Sequence, residues 1–232
     1  MKRLMDLLLP PKCPVCRAVR GPAERGQLCG ACAAEIRRSY RAAGGKPVEG
    51  CTQTDAALLY AGAVRRMILH TKNGGLSARP WLCGQAAALL LSHQDAWRPD
   101  LVTFVPSALN HWWKRGFNLA ADLAQGAAKA CGLPCRCVLR RRLFGGYQSH
   151  SPDRAARRRR AAAAYSPGKG TRLDGMRVVL VDDVLTSGAT ACACARLLRE
   201  MGAAEVYFLC VAKTPDQRMK MTKNSGKCAC KS

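Results

Sequence analysis

Apolar and polar positions alternate between two rhythms along this 232-residue chain. Ala56 to Tyr60 and Leu101 to Val105 are short apolar runs that read as buried strands. Val178 to Val181, mostly β-branched, and Val206 to Val211 are stronger ones. Between them the spacing turns helical. Val64 to His70 gives a turn or two, and Trp81 to His93 a full helix. Leu119, Leu123, Ala127 and Ala130 mark one face of a helix over 117–131, stopped by Gly132. A further helix over 189–201 ends at Gly202, and Cys135 to Leu139 is a possible strand. Strands alternating with helices predict an α/β protein built on a mostly parallel, doubly wound sheet.

The two ends depart from this rhythm. Residues 1–40 hold a short apolar run, Leu4 to Leu9, read as a small helix, and then two Cys-x2-Cys pairs in a loop rich in Gly, Arg and Pro. Residues 41–54 are a polar connector, and 55–213 carry the α/β pattern. Residues 214–232 are lysine-rich without apolar periodicity and are expected to form a disordered basic tail. Asp6 and Pro10-Pro11 break the N-terminal run, which argues against a signal peptide. No segment reaches the roughly 18 apolar residues of a membrane span, and a cytoplasmic location is expected.

Charge sharpens the picture. Lys and Arg number 38 against 15 Asp and Glu, a formal net charge of +23. Such an excess favours polyanionic partners, unless it reflects an arginine-rich proteome. Arg140 to Arg142, Arg154 and the run Arg157, Arg158, Arg159, Arg160 concentrate it before the strongest strand. With Trp112, Trp113 and Phe117 in a loop upstream, charge and stacking groups are available to follow single-stranded DNA. A solvated arginine-rich helix with packed tryptophans is the plainer alternative.

Fourteen cysteines are not spaced as a secreted disulfide framework. Cys13, Cys16, Cys29 and Cys32 follow C-x2-C-x12-C-x2-C. Four thiolates in two tight knuckles suit a closed tetrahedral Zn2+ site, which is structural because no position remains open for chemistry. Disulfides or a redox pair are the competing readings. Cys83, Cys192, Cys194 and Cys210 lie in apolar stretches and read as small buried hydrophobes.

The densest chemistry is Val178-Val-Leu-Val-Asp-Asp-Val-Leu-Thr-Ser-Gly-Ala-Thr190. Asp182 and Asp183 fall where the strand is expected to end, the usual ligand position on an open α/β sheet. Thr186, Ser187, Gly188, Ala189 and Thr190 then turn into a helix whose first N–H groups can cradle a phosphate. The two carboxylates would reach ribose hydroxyls or Mg2+. An acid-ended strand followed by an ordinary helix cap would explain the acids, but not the whole string.

That string resembles the phosphoribosyl pyrophosphate motif of type I phosphoribosyltransferases. Together with the paired Cys-x2-Cys motifs, Tyr60-Ala-Gly-Ala-Val-Arg65, Lys72, Val105-Pro106, Arg115-Gly-Phe-Asn118 and Gln148, it resembles the ComF family of competence proteins, over about residues 4–213. The resemblance implies a zinc ribbon joined to a phosphoribosyltransferase-like domain. It implies phosphoribosyl pyrophosphate or a nucleotide as ligand with Mg2+, and a link to the competence machinery and DNA uptake. It puts Asp182 and Asp183 at the ribose, Thr186 to Thr190 at the 5′-phosphate, and Lys72 and the loop from Ser107 to Asn118 near the pyrophosphate, with Arg115 supplying charge. Gln148 and Arg157 fall in the family's glutamine-and-arginine segment before a closing aromatic, here Tyr165. Leu119 and Arg160 replace the Gln and Asn usual in the family, which leaves the acceptor of any transfer unassigned, as is the oligomeric state.

Overall fold

The computed structural model describes residues 11–20, 27–41, 44–107, 116–142 and 161–215. Leu4 to Leu9, Trp112, Trp113, Arg115, Gln148, Arg154, Arg157 to Arg160 and the 216–232 segment lie outside them.

In chain order the elements are α1 (Gly30–Arg41), β1 (Gln53–Leu59), α2 (Gly62–Lys72), α3 (Arg79–Trp97), β2 (Leu101–Phe104), α4 (Leu119–Cys131), β3 (Leu139–Arg141), β4 (Tyr165–Pro167), β5 (Arg177–Leu185), α5 (Ala189–Glu200) and β6 (Glu205–Lys213). Four strands form one sheet in the order β1-β6-β5-β2, and every pairing is parallel. The expected α/β sheet is therefore present.

Strand alternation explains why its central runs are apolar throughout. Val178, Leu180, Val206 and Phe208 face α5, where they meet Ala191, Ala195 and Leu198. Val179, Val181, Leu209 and Val211 face the other way, against Met67 and Ile68 of α2, Leu82 and Leu90 of α3 and Leu123 of α4. A parallel sheet covered on both faces has no polar side to show.

Three sequence expectations need correction. First, β5 does not end at the acids. It runs to Leu185, pairing Asp182 with Cys210 and Val184 with Ala212. Its neighbour β2 stops at Phe104, opposite Val181, so the sheet narrows there and β5 continues with β6 alone. Second, Cys135 to Leu139 is not a strand of the sheet. Cys135 makes one parallel bridge to Val102, and the chain then leaves to form β3, antiparallel to β4. Arg140 and Arg141, expected on a charged helix or loop, lie in that hairpin. Third, the second Cys-x2-Cys pair is not all loop: α1 begins inside it at Gly30 and carries Cys32.

The packing gives a direct test. Leu123 is fully buried between α4 and the sheet, while Leu91 on α3 is 49% exposed. Leu123→Ala is expected to lower urea stability by about 2–5 kcal/mol through the lost contacts and the cavity. Leu91→Ala should stay within about 0.5 kcal/mol.

Candidate functional site

The narrowing of the sheet opens a cleft at the C-terminal ends of the strands. It has a volume of about 330 Å3, and its lining includes Lys72, Ser107, Arg141, Tyr165, Asp182, Asp183 and Thr190. The start of α4 forms another wall, with Asn118, Leu119 and Ala120.

Because successive strand residues point to opposite faces, the two acids diverge. Asp183 follows Val181 toward α2, where the Lys72 ammonium lies 2.8 Å from its carboxylate. Asp182 follows Leu180 toward α5, close enough to Tyr165, Cys194 and Cys210 to affect their ionisation. Burial there pushes the Asp182 carboxyl up to about 8. The Asp183 charge adds to that shift, and the Asp183 N–H, donated to Asp182 at 2.8 Å, and Lys72 oppose it. Within one cleft, one acid pairs with a lysine and the other is raised by burial.

The phosphate-side residues are only partly drawn into this cleft. Thr190 lines it, whereas Thr186 and Ser187 are exposed beside it. Gly188 takes a left-handed φ of +79° to turn β5 into α5, a conformation that any side chain would strain. No side chain caps α5 from that position, and the Ala189 N–H has only a long 3.5 Å contact to the Ser187 hydroxyl. The turn thus leaves helix N–H groups with room for an anion.

Two further features, the place of Arg141 and the capping work of Asn118, were not legible in the sequence. Arg141 lies over the Tyr165 ring, 5.6 Å from its centroid, and donates to its hydroxyl at 3.4 Å. The hairpin pairing Arg141 with Tyr165 brings that guanidinium to the cleft. The sequence alone placed Arg141 in a basic run, because the register joining residues 139–141 to 165–167 skips 23 residues. Asn118 is the second feature. Its carboxamide caps α4 by accepting the Ala120 N–H at 3.1 Å, and donates to the Val105 carbonyl at 3.3 Å. It fastens the start of α4 to the end of β2, so its role in the geometry is to shape the wall.

The four predicted metal ligands come together. Cys13, Cys16, Cys29 and Cys32 place their sulfurs within 4.8 Å of one another, with Cys16 and Cys29 at 3.6 Å. Zn–S bonds of about 2.3 Å in a tetrahedron require sulfurs about 3.8 Å apart, so the set fits Zn2+. Burial opposes ionisation of Cys13, but N–H groups of Cys29, Cys16 and Val15 outweigh it and bring the thiol down to about 6. Among the described residues this is the one such cluster, and no helix is long and apolar enough to cross a membrane.

Comparison with known proteins follows the same division. The phosphoribosyl transferase domain family model matches residues 114–231, and the double zinc ribbon domain model matches residues 4–53. The chain is 31% identical over 118 residues to DNA utilization protein YhgH of Escherichia coli K12, covering 50% of each. It is 29% identical over 141 residues to competence protein F of Haemophilus influenzae, covering 57% of this chain and 62% of that one. It thus spans about half the length of the first of these curated relatives. Among solved structures it is similar to glutamine phosphoribosylpyrophosphate amidotransferase from B. subtilis complexed with ADP and GMP. That match has 29% identity and a TM-score of 0.41, over 59% of this chain and 26% of that one.

Two outcomes check the site. A carboxyl raised in the folded state stabilises at low pH, and that contribution is lost as pH rises through the folded value. The unliganded wild type should therefore lose stability relative to Asp182→Asn between about pH 4 and 8, by up to ~1.4 kcal/mol per unit. A urea-stability gap that is the same at pH 5 and pH 8 would contradict the placement of Asp182. Metal analysis of chelator-free protein should give about one zinc per chain, and Cys13→Ser with Cys32→Ser should remove it.

Proposed function

This chain belongs to the phosphoribosyl transferase domain family, in the ComF/YhgH group that joins a double zinc ribbon to that domain, and on that basis we propose that it binds phosphoribosyl pyrophosphate or a related 5′-phosphoribosyl nucleotide with Mg2+. The observation that carries the reading is the meeting of Asp182, Asp183, Lys72 and Thr190 at one cleft, beside an open helix N-terminus. In this reading the carboxylates take the ribose hydroxyls, directly or through Mg2+, and residues 186–190 take the 5′-phosphate. Lys72 and Arg115 serve the pyrophosphate end. Mg2+ would supply charge neutralisation of the pyrophosphate and would favour the ionised form of Asp182. Zn2+ on the four cysteines would be structural.

The names of the relatives, which speak of competence and of DNA utilization, support a role in those processes, and DNA uptake is the form we propose for it. A second reading, single-stranded DNA binding by the same fold, is favoured by the exposed Arg140, Arg141 and Arg142 at the hairpin beside the cleft. Arg157 to Arg160, outside the described residues, add four more positive charges to that reading.

Calorimetric titration with phosphoribosyl pyrophosphate and Mg2+ is expected to show saturable binding. Asp182→Asn with Asp183→Asn should weaken it by roughly tenfold or more, since hydrogen bonds to charged groups contribute about 1.5–3 kcal/mol. Pyrophosphate release on adding a nucleobase would extend the reading from binding to transfer. Absence of binding at millimolar ligand, alongside a salt-dependent oligonucleotide shift lost on neutralising Arg157 to Arg160, would favour the second reading.

A further inference from the structure

The zinc knuckle is not an appendage. Cys13, Cys32 and Ile36 share one apolar cluster with Leu58 of β1 and Ala63 and Val64 of α2. Two polar contacts from α1 fix the same neighbours. The buried Ser39 hydroxyl accepts the Leu59 N–H at 2.7 Å and donates to the Leu59 carbonyl at 3.0 Å, so it clamps the end of β1. Glu35 performs a different task. Helix α2 begins after Ala61, which has no side chain able to cap it. The Glu35 carboxylate supplies that cap from α1, accepting the Ala63 N–H at 2.8 Å and pairing with Arg66 at 2.9 Å. A negative charge at a helix N-terminus is also favoured by the helix dipole.

Gly62 shows how close this approach is. It has a φ of +47°, and a Cβ there would come within 2.0 Å of the Glu35 carboxylate oxygen. The first residue of α2 is therefore one that gives Glu35 room.

The other end of α2 is Lys72, whose ammonium pairs with Asp183 in the cleft. Helix α2 is eleven residues long and packs along the sheet through Val64, Met67 and Ile68. A shift at its start moves its end, because a packed helix moves as a rod.

We propose that Glu35 is a positioning residue that links the four-cysteine site to the cleft: through α2 it holds Lys72 against Asp183, and it thereby sets the affinity of the cleft for a phosphoribosyl ligand. The proposal rests on the reading of the cleft given under Proposed function.

The full-length, zinc-loaded protein tests it through Glu35→Ala, with zinc content measured for each variant. Amide hydrogen exchange over 62–72 should accelerate about tenfold while zinc stays bound, since the cap is lost but the knuckle is not. Affinity for phosphoribosyl pyrophosphate with Mg2+ should fall about fivefold. In a Lys72→Met background the same substitution should cause no further loss, because the effect is routed through that lysine. Unchanged exchange over 62–72 would overturn the proposal, and so would an affinity loss of equal size with and without Lys72. If the wild type binds no phosphoribosyl pyrophosphate, the reading of the cleft falls. The link between Glu35 and α2 is then decided by the exchange measurement alone.

Discussion

The structure depends on a mismatch of strand lengths. Strand β2 ends at Phe104, opposite Val181, while β5 and β6 remain paired as far as Leu185 and Lys213. On one side of β5 the sheet is missing for its last four residues. Those residues include both acids, and the space left beside them is the cleft. Had β2 been as long as β5, it would occupy that space. The mismatch also permits an expensive arrangement, two adjacent acids in a largely apolar strand. Strand alternation separates them, so one is balanced by Lys72 and the other is raised by burial.

The walls around this gap are supplied by elements far apart in sequence. Asn118 holds the start of α4 against the end of β2. The β3–β4 hairpin carries Arg141 and Tyr165 in from the other side. Helix α2 brings Lys72, and its own start is capped from the zinc-binding segment. Two of these walls, α4 and α2, are fixed by a side chain that accepts an otherwise unpaired N–H at the helix start.

Much of this was legible in the sequence, and the parts that were not have a common cause. Buried strands and helices announce themselves through local periodicity, which is why Val178 to Val181 and Val206 to Val211 fall inside strands and the helix expected over 117–131 is found over 119–131. The four cysteines were legible because metal coordination imposes a fixed local spacing. The full length of β5 was not, because Asp182 and Asp183 read locally as a strand end. Only the pairing with β6 keeps the backbone extended there. The role of Arg141 was likewise hidden, since it depends on antiparallel pairing with Tyr165 across a long gap. Asn118 was legible as part of a motif, but its work as a cap required knowing that Val105 lies beside it. The cap that Glu35 gives α2 has no sequence signature at all, because its partner lies 28 residues away.

The central claim is that the cleft beside β5 is a 5′-phosphoribosyl site with its sugar end at the two acids. A crystal structure of the full chain with phosphoribosyl pyrophosphate and Mg2+ tests this most directly. The account predicts ribose hydroxyls or Mg2+ within bonding distance of Asp182 and Asp183, with the 5′-phosphate on the N–H groups of residues 186–190. A ligand seated elsewhere on the chain, or one in the cleft with its phosphate against the acids, would contradict it.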